Sequence, residues 1–110
     1  MSEMLFLLVA AHALCDYPLQ GDFLARAKDR NTDLGKLFWP HALFAHSMIH
    51  GGAVLLITGL LPLAIAEVCI HAVTDWLKCE KRIGLNTDQA IHLLCKIVWA
   101  AVAAFGVLHV

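Results

Sequence analysis

Charge is what this chain has least of: Asp, Glu, Lys and Arg make up 15% of its 110 residues, where soluble domains carry about a quarter. The formal net charge is -1, which leaves no basic field to draw a nucleic acid. Glycine-rich phosphate loops are missing as well, so no nucleic-acid partner is expected. Cysteine is sparse and scattered (Cys15, Cys69, Cys79 and Cys95), with no C-x-x-C pair. That spacing excludes a zinc ribbon or a stapled secreted scaffold and predicts reduced packing thiols. No Lys or Arg precedes the first apolar run, His12 interrupts it, and Leu14 precedes Cys15. A cleavable signal begins basic and ends on small residues, so a retained membrane helix is expected instead.

Apolar side chains are in excess. They form 60% of the sequence, and the mean hydropathy is +0.72. A chain of this length has too little interior to hide them all, which predicts a lipid bilayer as its surroundings. Four apolar segments can be drawn, at about 3–16, 41–60, 63–78 and 87–109, with an amphipathic loop at about 20–37. Pro18 breaks the first, Gly59 and Pro62 separate the second from the third in a tight hairpin, and Asn86 or Thr87 caps the fourth. A span takes about 20 apolar residues, and helices pair their own backbone groups in lipid. The expected fold is all-α: a polytopic membrane protein with four transmembrane helices in a compact bundle.

Charge placement fits that drawing. Seven of the eight basic residues are Arg26, Lys28, Arg30 and Lys36 after the first segment, and Lys78, Lys81 and Arg82 after the third. A four-span topology puts both loops on one side. The excess of Lys and Arg makes that side cytoplasmic, with both termini outside, in a bacterial inner membrane. Tyr17, Phe38, Trp39 and Trp76 fall near this boundary, where aromatic belts sit.

The polar residues within the apolar segments recur at one-turn spacing: His12, Asp16 and Gln20; His46 and His50, with His41 before them; Glu67, His71 and Asp75; Asp88, His92 and Lys96. Residues four apart share a helix face. In the four-span drawing all four stripes meet in one layer near the cytoplasmic face. His50 and Glu67 lie deeper and are expected to pair across the hairpin. A charged group at bilayer depth costs about 2.5–3.5 kcal/mol on insertion scales, so these groups should face inward and pair. Three readings follow. His and carboxylate are ligands for zinc, with manganese or iron as alternatives, and the candidates are His12, Asp16, His46, His71, Asp75, Asp88 and His92. Chains of Asp, Glu and His also mark proton or ion paths. Interhelical hydrogen bonds holding a small bundle together are the third.

At these positions the chain resembles a known family. "AHALCDYPLQGDFLARAK", "HALFAHSMIH", "IHAVTDWLK" and "DQAIHLL" are similar, in order, to the blocks of the domain of unknown function 3307 family, small membrane proteins of bacteria and their phages. The resemblance marks His12, Asp16, Gln20, His41, His71, Asp75, Lys78, Asp88, Gln89 and His92, and implies no activity. "AHS" (Ala45–Ser47) with His71 and Asp75 also resembles membrane-bound metal-dependent hydrolases, whose upstream acidic blocks are missing here. The expected function is accordingly metal-dependent hydrolysis, with Asp75 or Asp88 as base and Lys78, beside Lys81 and Arg82, holding an anionic head group or phosphate-bearing substrate. The alternatives are a metal or proton conduit, with a homo-oligomer enclosing more volume, and a membrane-anchored interaction protein with a structural polar network.

Overall fold

Thr32 opens the longest helix. Its backbone is extended and its hydroxyl accepts the Gly35 amide at 2.9 Å, capping an end that Asp33 also favours by charge. The helix therefore starts eight residues before the expected position 41. Pro40 removes only one backbone donor near its start, and the helix runs through it. The computed structural model describes residues 1–106 and, among them, five helices and no strand: α1 Ser2–Asp16, α2 Gly21–Ala27, α3 Asp33–Thr58, α4 Leu61–Cys79 and α5 Leu85–Ala104. The expected end of the fourth segment, near 109, lies outside the described residues. The segment expected as a loop at 20–37 contains α2 and the first turn of α3. α2 follows α1 across an 81° bend and packs on α3, with Phe23 against Phe38 at 5.7 Å between ring centroids.

The α3–α4 hairpin forms as its residues dictate. Gly59 takes the left-handed conformation that ends α3, with its amide on the Leu55 carbonyl at 2.8 Å. Pro62 then sits in the first turn of α4, where its missing donor costs nothing. Gly51 lets the two helices close. A Cβ there would meet the Val68 side chain and stand 3.0 Å from the Ala64 carbonyl oxygen.

Packing inverts the usual arrangement of polarity. Phe6, Phe44, Leu56, Val73 and Leu94 are exposed, Leu56 to 89% of its surface. His46, His50, Glu67, His71, Asp75, Asp88, His92 and Lys96 are buried, none more than 2% exposed. Leu8, Val54, Leu60, Leu63, Trp99, Ala100 and Ala103 fill one end of the bundle with an apolar core. The polar interior fills the other end. Among the described residues one helix, α3, is long and apolar enough to cross a membrane, and the bent pair α1–α2 qualifies if counted as a single span.

Candidate functional site

Each of the four long helices contributes polar side chains one turn apart, and the bundle brings them into one cluster. Five imidazoles form its centre. His71 lies stacked between His50 and His92, with centroids 3.8 and 4.2 Å away. His46 stands 4.8 Å from His50 and 5.0 Å from His71, and His12 stands 5.2 Å from His50.

Four carboxylates and three lysines surround the rings. Lys28 Nζ donates to Asp75 Oδ2 at 2.6 Å. Lys78 Nζ lies 3.1 Å from Asp75 Oδ1 and 3.3 Å from Asp88 Oδ2. Lys96 Nζ donates to Glu67 Oε1 at 2.8 Å, and Trp99 Nε1 to Glu67 Oε2 at 2.7 Å. Pairing each lysine with one carboxylate leaves Asp16 over. Among the described residues no Lys or Arg reaches it, and its neighbours are imidazoles. His50 Nε2 lies 2.9 Å from Oδ1, His46 Nε2 3.3 Å from Oδ1, and His12 Nε2 3.2 Å from Oδ2.

Gln89 fixes one tautomer. Its amide nitrogen donates to Asp16 Oδ2 and Asp88 Oδ2, both at 3.1 Å, and carboxylates only accept. Its oxygen therefore faces His12 and accepts from Nε2–H at 3.0 Å. The other ring nitrogen, His12 Nδ1, is buried without a partner, as are both nitrogens of His46 and of His71, His92 Nε2 and Ser47 Oγ. Such groups cost about 1–3 kcal/mol each when nothing bonds them.

Two sets of donors are placed to hold a metal ion: Asp16, His46, His50 and His71, and Glu67, His71 and His92, the atoms of each lying within 4.8 Å of one another. A tetrahedral zinc ion with ligands at about 2.0–2.1 Å spaces its donors about 3.3 Å apart. The contact of Asp16 Oδ1 with His46 Nε2, at 3.3 Å, matches that spacing, while the one with His50 Nε2, at 2.9 Å, is a hydrogen bond. Of the residues expected as ligands, Asp16, His46, His71 and His92 fall in these sets, whereas His12, Asp75 and Asp88 stand beside them. His50, expected to pair with Glu67, joins the Asp16 set instead, and Glu67 is taken by Lys96 and Trp99. His41 is exposed on α3, away from the cluster. Lys28 escaped sequence reasoning, because its polar neighbours mark it as a loop charge; Gln20, which also bonds it, is its one sequence-level link to the cluster.

A cavity of about 80 Å³ lined by Asp16, Tyr17, Gln20, Lys78, Leu85 and Gln89 leads to the cluster from the outside. With this geometry in view, the sequence model of one family, described as Protein of unknown function (DUF3307), matches residues 4–108. The chain belongs to the DUF3307 family. Nothing matched among curated proteins or among solved structures, so the likeness to membrane-bound hydrolases has no counterpart in these comparisons. The DUF3307 match covers α1 from Met4 onward and the whole of α2 to α5, and with them every member of the polar cluster.

Proposed function

We propose that this DUF3307 protein is a multi-pass membrane protein that holds one divalent metal ion, zinc before manganese or iron, on Asp16, His46, His50 and His71, and uses it for hydrolysis. Asp16 carries this reading. Among the described residues it is the one carboxylate of the cluster left without a lysine, it lies partly buried among imidazoles of which His46 and His71 have unbonded nitrogens, and a metal cation would meet both needs at once. The fit rests on donor chemistry: one carboxylate and three imidazoles from three helices, as in metal sites built inside helical bundles.

A bound ion would supply a Lewis acid and an activated water. The cavity beside Asp16 is where water and a small substrate would enter, and Lys78 on its wall is the cation nearest an anionic group there. Asp75 and Asp88 are both engaged by Lys78, so a base role for either depends on that lysine releasing it. The apolar layer of Leu8, Val54, Leu60, Leu63 and Trp99 at the far end favours a closed centre over a passage through the bilayer.

Four spans, α1, α3, α4 and α5, agree with the outward-facing apolar side chains. α4 and α5 have 19 and 20 residues, and the charges that lower their hydropathy point inward. The basic residues at the polar end support a cytoplasmic placement of that end in a bacterial inner membrane, with both termini outside.

Elemental analysis of detergent-purified protein tests the metal. About one zinc per chain is expected, lost in Asp16→Asn and His71→Ala variants that keep their helical circular dichroism. A chain that stays metal-free after repletion would overturn the reading and leave the cluster a structural network.

A further inference from the structure

The two donor sets share His71, and they differ in charge. No ammonium stands in the set of Asp16, His46, His50 and His71. In the set of Glu67, His71 and His92 an ammonium is already present: Lys96 Nζ lies 2.8 Å from Glu67 Oε1 and 3.5 Å from the His92 carbonyl oxygen. Trp99 engages the other Glu67 oxygen at 2.7 Å. Lys96 follows His92 by one turn of α5, so its stem runs along the same buried face, and the whole side chain is 2% exposed.

We propose that Lys96 is a tethered cation standing where a second metal ion would bind, so that the deeper donor set of Glu67, His71 and His92 is a latent metal site and the protein holds one ion rather than two. This rests on the metal reading of the Asp16 set. Both oxygens of Glu67 are spent on donors that the fold supplies, and a dication beside them would face a buried ammonium at short range. Like charges in a low-dielectric interior repel strongly. Removing the ammonium reverses each term. Glu67 regains an open oxygen and an uncompensated charge, and the unbonded His92 Nε2 joins it; His71, holding the first ion through one ring nitrogen, would complete the three-donor set through the other, giving up its remaining ring proton to solvent as a bridging imidazolate.

The test is zinc stoichiometry of the whole chain, stripped with chelator in detergent, reloaded with Zn²⁺ alone, desalted and analysed for metal. The wild type should hold one ion, Lys96→Met two, and Lys96→Met with Glu67→Gln one again. Lys96→Arg, which keeps the cation, should hold one. Lys96→Gln leaves a hydrogen-bond donor for Glu67 and takes the place of Lys96→Met, with the same expectation, should that variant fail to fold. One ion in Lys96→Met and Lys96→Gln, or two in the wild type, would overturn the proposal while leaving the Asp16 centre standing. No ion in the wild type would instead remove the Asp16 reading. In that case a single ion gained by Lys96→Met and lost with Glu67→Gln upholds the role of Lys96, and none gained overturns it.

Discussion

Lys28 and Asp75 come from segments 47 residues apart, and both are buried in a region whose outer face is apolar. Removing one partner of a buried ion pair leaves the other's charge uncompensated, at about 3–5 kcal/mol. Because Lys78 still reaches Asp75, Lys28→Met should cost about 3 kcal/mol, at the lower end of that range. Denaturant unfolding in micelles reads this, and Lys28→Met combined with Asp75→Asn should cost less than the two single losses summed. An additive pair would show that the two groups do not interact. Spacing, with the four-span drawing, pointed His12, Asp16, His46, His71, Asp75, Asp88 and His92 into one layer, since one-turn ladders in apolar helices have nowhere else to face; His50 and Glu67 were expected as a separate, deeper pair. Which member meets which was hidden. The expected pairing of His50 with Glu67 rested on equal depth, whereas partner choice depends on how far each helix is rotated about its axis. That rotation gave His50 to Asp16 and Glu67 to Lys96.

At the scale of elements, the α4–α5 turn shows a helix end built with an unfavoured residue. The Arg82 amide bonds to the Leu77 carbonyl and the Lys81 amide to that of Lys78, both at 2.9 Å, a Schellman ending that places Lys81 at φ 60°. A non-glycine residue there costs about 1–2 kcal/mol, and glycine adds back about 0.4–1 through unfolded-chain entropy. Lys81→Gly should therefore stabilise the protein by roughly 0.5–1 kcal/mol, seen as a higher thermal midpoint; a lower one would refute the account of this turn. Beside it, Arg30 and then Asn31 hydrogen-bond the Glu80 carboxylate and hold it below its ordinary pKa. A lowered carboxyl contributes stability above the ordinary Glu range and loses it as pH falls through the lowered value. Glu80→Gln should flatten that acid-side loss at low salt, where exposed pairs are least screened. Gly59 with Pro62 made the α3–α4 hairpin legible beforehand. The start of α3 was not, because Pro40 reads as a boundary while the capping Thr32 sits in a polar run that resembles a loop.

For the whole molecule the deciding property is the inverted distribution of polarity, which no hydropathy window reports. Among the described residues α3 is the one single helix long and apolar enough to cross a membrane, beside the bent α1–α2 pair, because the inward-facing charges of α4 and α5 are averaged with the apolar residues on their outer faces. Composition made the excess of apolar residues legible, whereas the outward orientation of the apolar faces became visible only once the helices were packed. Cys69 offers a direct check. Its thiol is exposed on the outer face of α4, between exposed Ile65 and Val73. A protein surrounded by water would present it to a charged, membrane-impermeant maleimide at once. A protein surrounded by lipid would hold it away from the charged reagent. In intact vesicles of either orientation Cys69 should stay unlabelled until detergent denaturation exposes it, while in inverted vesicles Lys36→Cys and Arg82→Cys, both at exposed positions beside the polar end, react without denaturation. Four spans further require those two sites to lie on one side, so inverted vesicles should label both and right-side-out vesicles neither. Rapid labelling of Cys69 in native vesicles would place α4 outside the bilayer and dismantle the four-span arrangement. Opposite sidedness of the two engineered thiols would retain a membrane protein but with an odd number of crossings between them.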